Sequence, residues 1–259
     1  MKFVFDLDGT ICFKGKPVSS VIADAILTLQ DEGHEAVFAS ARPIRDMIPV
    51  LDKHFHNSYL IGGNGALSSS TGKIVHTHCF TDEQRKTILH LIEKYNASYL
   101  IDSDWNYAYT GPATHPILKQ VDELKLAKIV TVEEMESFVK ILIVEADDMD
   151  AMARELEHED MVVHKHTNEN LIDISPANIH KWSALQRIPV NAEEYIAFGN
   201  DTNDITMFQN AAYAVRIGCH PDLEPYADET IPTEENTEEA IAQKITELSQ
   251  RYKALAPLV

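Results

Sequence analysis

Short apolar runs and helical stripes alternate along the first third of the chain. Lys2-Phe3-Val4-Phe5-Asp6 is an apolar run closed by a carboxylate, and beyond Gly9-Thr10 a stripe of Val21, Ile22, Ala25, Ile26 and Leu29 recurs at helical spacing. This predicts a strand and then a helix, opened at Ser19-Ser20, whose hydroxyls can cap free N–H groups, and stopped at Gly33. Glu35–Ser40 predicts a second buried strand, Ile44–Phe55 a second helix, and Ser58–Ile61 a third strand running into Gly62-Gly63-Asn64-Gly65. Strands separated by helices imply parallel pairing. Ala66–Phe80, with Ser70-Thr71-Gly72 at its centre, predicts a hairpin instead.

The rhythm then changes. A helix over Asp82–Tyr95, a strand over Ser98–Asp102, an aromatic segment (Trp105, Tyr107, Tyr109) and strands around Phe138–Glu145 and Met161–His166, with a helix at Met149–Glu157 between them, predict an α+β module with a largely antiparallel sheet. From His180 the earlier alternation resumes: a helix, a strand at Tyr195–Phe198, a helix at Asp204–Asn210, a strand at Tyr213–Ile217 and a last helix at Glu238–Tyr252. The chain therefore reads as an α/β fold, a doubly wound and mostly parallel sheet, with an α+β domain inserted into it. Its parts are a core from 1–79 and 178–259 and an insertion from 80–177.

Composition narrows the function. The 259 residues carry 22 Lys+Arg against 41 Asp+Glu, a net charge of −19, which disfavours duplex nucleic acid and anionic membrane surfaces as partners. The hydrophobic fraction of 44% supports a folded core. No apolar stretch approaches a membrane span, and Asp6 interrupts the first apolar run, so the expectation is a cytoplasmic protein without a signal peptide. Cys12, Cys79 and Cys219 are too scattered for a disulfide framework or a zinc spacing. The acidic stretch Asp222–Glu239 is expected to be a solvated face.

In an open parallel sheet, ligands collect at the carboxyl ends of the strands. Asp6 and Asp8 follow the first strand, Ser40 closes the second, Lys181 opens the helix after the insertion, and Gly199-Asn200-Asp201-Thr202-Asn203-Asp204 follows a later core strand. A turn at Leu7 lets Asp6 act as a nucleophile toward phosphorus while Asp8 protonates the departing alcohol and then deprotonates water. Asp201 together with Asp6 offers hard oxygen ligands suited to Mg²⁺, Lys181 adds a second cation, and Ser40 adds a hydroxyl donor.

This arrangement resembles the haloacid dehalogenase-like superfamily, specifically its Cof-type phosphatases with a type IIB cap. Asp6-Leu7-Asp8-Gly9-Thr10 looks like the family's first motif, Ala39-Ser40-Ala41-Arg42 its second, Lys181 its third, and Gly199-Asn200-Asp201 with Asn203-Asp204 its fourth. The resemblance implies Asp6 as nucleophile and metal ligand, Asp8 as acid/base with its backbone carbonyl on the metal, and Asp201 as metal ligand supported by Asn203 and Asp204. Ser40 and Lys181 would hold the transferring phosphoryl group. Arg42 either reaches substrate or forms a supporting ion pair, and Asn64 either lies beside the active site or belongs to a tight hairpin entrance.

Departures from the family pattern are Ala41 where glycine is common, and Asn178, His180 and Trp182 around the lysine. The reading is a Mg²⁺-dependent phosphatase of small phosphorylated metabolites, sugar phosphates foremost, working through an aspartyl phosphate, with no protein partner implied. The alternatives are a phosphotransferase or mutase of the same fold and a non-catalytic phosphometabolite-binding regulator. Trp105, Tyr107 and Tyr109 alternate along an extended segment and are expected either to select substrate or to pack the insertion.

Overall fold

The computed structural model describes residues 1–166 and 170–253, which form two sheets. The chain begins with β1 (Lys2–Phe5), α1 (Ser20–Asp31), β2 (Glu35–Ala39), α2 (Ile44–Met47), β3 (Tyr59–Gly62) and the hairpin of β4 (Leu67–Ser70) and β5 (Lys73–Thr77). There follow α3 (Asp82–Lys94), β6 (Ser98–Asp102), β7 (Tyr107–Tyr109), β8 (Lys140–Glu145), α4 (Met149–Leu156), β9 (Met161–His166) and β10 (Leu171–Pro176). It closes with α5 (Lys181–Leu185), β11 (Tyr195–Gly199), α6 (Ile205–Phe208), β12 (Tyr213–Ile217), β13 (Glu229–Ile231) and α7 (Thr237–Lys253).

The first sheet has eight strands in the order β13-β12-β11-β1-β2-β3-β4-β5, parallel from β13 to β3 and antiparallel through the final hairpin. Its centre is buried on both faces, so β1 can be apolar throughout: Phe3 and Phe5 pack with Phe38, Phe198 and the inner faces of α1 and α7, while Val4 packs toward α5 and α6. The hairpin turns at Thr71 and Gly72, both at positive φ, the geometry of a tight two-residue connection. From β1 the strands step through β2 to β3 on one side, and from β11 through β12 to β13 on the other. Strand order thus reverses between β1 and β11, opening a crevice above their carboxyl ends.

The second sheet, β7-β6-β8-β10-β9, is wholly antiparallel and is built from residues 98–176. One face packs Ile101, Ile141, Ile143 and Ile172 with Ile88 and Leu91 of α3 and Met152 and Leu156 of α4. Strand alternation puts Leu100, Asp102, Lys140, Leu142, Leu171 and Asp173 on the other face. That face is turned toward the first sheet: Lys140 Nζ donates to the Ala41 carbonyl at 3.1 Å, and Arg45 Nη2 of α2 donates to Asp102 Oδ1 at 2.6 Å.

Several expectations are corrected. The helix expected over Ile44–Phe55 breaks after α2 into two short 3₁₀ turns, because Pro49 withholds an N–H and Asp52 caps a new turn by accepting from the His54 N–H. The helix expected at Asp204–Asn210 is a 3₁₀ turn over Thr202–Asp204 followed by the short α6. Ser19 stands at the N-cap of α1 without a capping hydrogen bond, its hydroxyl buried and unpartnered.

Two further strands lie outside the apolar pattern of the sequence. β10 ends in Pro176 and carries Asp173 at its centre, and β13 has only three residues inside the acidic stretch. That stretch is therefore not all solvated: Glu229 accepts from the Tyr213 hydroxyl at 2.9 Å and pairs with Lys244 at 2.8 Å.

Candidate active site

Asp6 lies one residue past β1 and remains in the sheet's hydrogen bonding, its N–H donating to the Phe198 carbonyl of β11 at 2.9 Å. The chain then turns sharply, with the N–H groups of Thr10, Ile11 and Cys12 all directed at the Leu7 carbonyl and Gly9 at φ +79°. The turn returns Thr10 to Asp6, whose Oδ2 accepts from Thr10 Oγ1 at 2.8 Å. Lys181, the first residue of α5 and fully buried, donates to Asp6 Oδ1 and to Asp204 Oδ1, each at 2.6 Å. His180 fixes this helix start by accepting from the Ser183 N–H, and Trp182 stacks on Tyr195 at 5.7 Å.

The electrostatics of this trio follow from burial. Burial pushes the Asp6 carboxyl up to about 7, against the pull of Lys181 and with the push of Asp204. For Lys181 burial works against the charged form, yet Asp204 and Asp6 on either side hold its pKa above the ordinary lysine value.

Asp8 points away from this buried trio and is half exposed. Arg42 grips it bidentately, Nε to Oδ2 at 2.7 Å and Nη2 to Oδ1 at 2.6 Å. Burial weakens the Arg42 charge, but the Asp8 hydrogen bonds more than offset it and hold the guanidinium pKa above its usual value. Ser40 ends the strand between them, its Oγ accepting from the Arg42 N–H at 3.1 Å. The Ser40 carbonyl accepts from the Asn64 N–H at 3.0 Å, and Asn64 Oδ1 accepts from Asn203 Nδ2 at 3.1 Å. Asn64 sits at φ +56° in the turn after β3, so it serves the turn and also meets Asn203. Gly62 precedes it where a Cβ would lie 2.8 Å from the Arg42 carbonyl.

The loop after β11 is organised by Asp204, whose Oδ2 accepts from the N–H groups of Asn200 and Asp201 at 2.9 and 3.2 Å. Gly199 makes room for it, since a Cβ there would lie 2.6 Å from the Asp204 carboxyl carbon. Asp201 is exposed; its Oδ1 accepts from the Thr202 N–H at 2.6 Å and faces His220 Nε2 at 3.4 Å. With its amide nitrogen turned toward them, Asn200 donates to the Asp8 carbonyl, to Thr10 Oγ1 and to Asp6 Oδ2, each at 3.1 Å.

The structure thus gathers Asp6 with Lys181, Asp8 with Arg42 and Ser40, and Asn64 with Asn203 at the crevice. Asp201 sits beside them on the adjoining loop without a hydrogen bond to Asp6. Among the described residues no three His, Cys, Asp or Glu side chains form a closed metal site. The donor set nonetheless fits a cation that keeps part of its water shell. The Asp8 carbonyl and Asp6 Oδ2 converge within 3.1 Å of a single atom, the Asn200 amide nitrogen, with Asp201 the next residue. Asp6, Asp8, Asp201 and Asp204 also outnumber the cations Lys181 and Arg42.

Thr10 and Asn200 were not singled out from sequence, although each lies inside a motif that was. The aromatic segment behaves otherwise. Tyr107 is buried under the Arg45 guanidinium at 4.7 Å, Trp105 donates Nε1 to the Leu126 carbonyl, and Tyr109 donates its hydroxyl to the Pro112 carbonyl. None of the three lines the cavity over Arg42 or the one beside Asn203.

Comparison with known proteins bears on the family and the fold. A family model described as haloacid dehalogenase-like hydrolase matches residues 3–245. An HMP-PP phosphatase of Yersinia pseudotuberculosis is 24% identical over 230 residues, covering 83% of this chain and 82% of that one. A 5-amino-6-(5-phospho-D-ribitylamino)uracil phosphatase of Bacillus subtilis is 25% identical over 263 residues, covering 93% and 95%. Among solved structures, a subclass IIB sugar phosphatase superposes with a TM-score of 0.73 at 18% identity, covering 98% of each chain. The doubly wound sheet, the second antiparallel sheet and a matching family model spanning both place the chain among the haloacid dehalogenase-like hydrolases, with the subclass IIB architecture of its Cof-type phosphatases.

Proposed function

We propose that the protein is a Mg²⁺-dependent phosphatase of small phosphomonoesters, acting through an aspartyl phosphate on Asp6. The observation that carries this reading is the division of labour between two carboxylates: Asp6 is buried against Lys181, and Asp8 is half exposed in the grip of Arg42. Asp6 attacks phosphorus, the bond to the leaving oxygen breaks, and Asp8 supplies the proton that the departing alcohol takes. Water then attacks the acyl phosphate, Asp8 accepts its proton, and the P–O bond to Asp6 breaks to release phosphate. Ser40, Lys181 and Asn203 hold the phosphoryl oxygens, with Asn64 orienting Asn203 and Asp204 orienting Lys181. Arg42 acts on Asp8, setting its direction.

Asp6, Asp201 and the Asp8 carbonyl would hold Mg²⁺, which when bound offsets the negative charge that substrate adds to an already acidic site. Residues 80–177 serve as a cap over the crevice, which favours small metabolites over macromolecular substrates. The relatives named as phosphatases of small metabolites support the substrate scale, and the chain's working compartment is taken to be the cytoplasm. No helix among the described residues is long and apolar enough to cross a membrane.

The test is phosphate release from a panel of phosphomonoesters with Mg²⁺ and no added acceptor. Wild-type protein should turn over, excess chelator should abolish release, Mg²⁺ should restore it, and Ca²⁺ should do so poorly. Asp6→Asn should lose about a thousandfold or more of kcat. Release only in the presence of an acceptor alcohol would favour a phosphotransferase, and an active Asp6→Asn variant would exclude the mechanism.

A further inference from the structure

Two cavities open on the seam between the sheets, one lined by Asn64 and Asn203 and the other by Arg42, which holds Asp8. One, of about 220 Å³, is lined by Asn64, Thr202 and Asn203 from the first sheet's loops and by His164 and Ser175 from the second. The other, of about 260 Å³, is lined by Ala41 and Arg42 beneath and by Leu100, Leu142 and Leu171 above. In-line transfer puts the leaving group opposite the attacking Asp6 and within reach of the proton donor. Asp8 is that donor and Arg42 holds it, so the cavity over Arg42 lies on the leaving-group side.

We propose that this cavity receives the leaving group and selects an uncharged one built on a single aromatic ring, in preference to a polyhydroxy sugar or any group carrying a second phosphate. The inference rests on the phosphatase reading above and names its substrate class. Its roof is formed by three leucines beside the Lys140–Asp173 ion pair on the same face of the second sheet. Leu100 of β6 pairs directly with Leu142 of β8, and Leu171 lies on the same face of β10, two residues before Asp173, which pairs with Leu142. Ile117 and Val121 close the side. Sugar hydroxyls set against the three leucines would lose water without finding partners, whereas the face of a ring loses nothing there; Gln120 at the side is the uncharged polar group of the lining.

The charged groups of the lining are already matched. Arg42 is held on Asp8, Lys140 lies 2.9 Å from Asp173, and Asp46 is held by Arg45. No cation of the lining is left over for a second phosphate, which would also approach Asp46 and Asp173. The volume sets the size: it lies just below the usual range of about 300–1,000 Å³ for small-molecule pockets, room for one ring and its substituents.

The experiment compares kcat/KM of the full chain with Mg²⁺ on benzyl phosphate, glucose 6-phosphate, fructose 1,6-bisphosphate and p-nitrophenyl phosphate. Benzyl phosphate should exceed glucose 6-phosphate by about tenfold or more, with the bisphosphate slower still. Leu142→Asn should bring the benzyl to glucose ratio toward one. Leu142→Ala, which only enlarges the cavity, should raise 2-naphthylmethyl phosphate relative to benzyl phosphate and keeps the test alive if the asparagine variant does not fold. A sugar phosphate turned over as well as benzyl phosphate, or ratios unmoved in both variants, would overturn the inference and leave the phosphatase reading standing. No release from any ester, p-nitrophenyl phosphate included, would overturn that reading and the inference with it.

Discussion

Lys181 is the only cation hydrogen-bonded to Asp6 and Asp204 among the described residues, and its burial makes the arrangement unequal: two carboxylates share one ammonium out of water. Removing either kind of partner therefore has opposite consequences. Lys181→Met leaves two buried carboxylates facing each other and should cost about 3–5 kcal/mol of stability as well as turnover. Asp6→Asn relieves the surplus carboxylate, leaves Asp204 to hold the lysine, and should keep or raise the melting temperature while turnover disappears. Urea unfolding and calorimetry of the two variants check this; a destabilised Asp6→Asn protein would show that Asp6 holds the lysine in place more than Asp204 does. Asp6, Asp8 and the residues after Gly199 stand out in the sequence because each follows an apolar run, and Lys181 because it opens the helix after the insertion. Arg45 was not, because nothing local marks an arginine on a short broken helix as buried; only the fold brings Asp102 and Tyr107 to it.

At the scale of elements, regular alternation was readable and irregular punctuation was not. α1, α3, β1, β2 and β11 lie within a residue or two of where their apolar periods put them. The stretch from Ile44 to Phe55 has the right apolar spacing for a helix, but Pro49 and the Asp52 cap divide it, and the short β13 hides among acids whose packing depends on α7. The contact between α7 and the start of β2 also sets a pH dependence. His34 is buried, with its ring edge on Phe3 at 5.3 Å and its Nε2–H donating to the Ser249 carbonyl at 3.0 Å. Burial lowers its pKa, against the pull of that carbonyl, so the fold favours the neutral ring. Below about 6.5 the unfolded chain takes up the proton first, so this stabilisation is whole above that pH and shrinks as the pH falls toward the lowered folded value. The slope contributed is at most about 1.4 kcal/mol per pH unit for one proton. Urea unfolding of His34→Gln across pH 7.5 to 5.5 should show a shallower loss than the wild type, and parallel curves would exclude the account.

At the scale of the whole molecule, the two sheets are tied by buried charge. Arg45, reaching from α2 to Asp102 and to the Trp105 carbonyl, with Asp46 on its other side and Tyr107 beneath, is the largest fully buried side chain in the described structure. Asp46 in turn accepts from the Asp122 N–H at 2.7 Å, and Lys140 returns the tie to Ala41. Arg45→Met strands the Asp46 and Asp102 carboxylates and should lower stability by about 3–5 kcal/mol. By calorimetry it should also split one transition into two, as the second sheet melts apart from the first; a single transition at an unchanged temperature would show that apolar packing alone holds the seam. The strand order has a consequence for how such a molecule is made. β1 lies between β2 and β11, and their registers join Phe5 to Phe38 on one side and to Phe198 on the other. A ribosome therefore delivers one neighbour of the central strand early and the other some 160 residues later. Until then the edge of β1 stands open, with Phe3, Val4 and Phe5 wanting cover. Residues 98–176, whose strands pair only among themselves, can fold in the meantime. The newborn chain thus completes its second sheet while its first waits as a sticky half, and the interval between them is when a chaperone has something to hold.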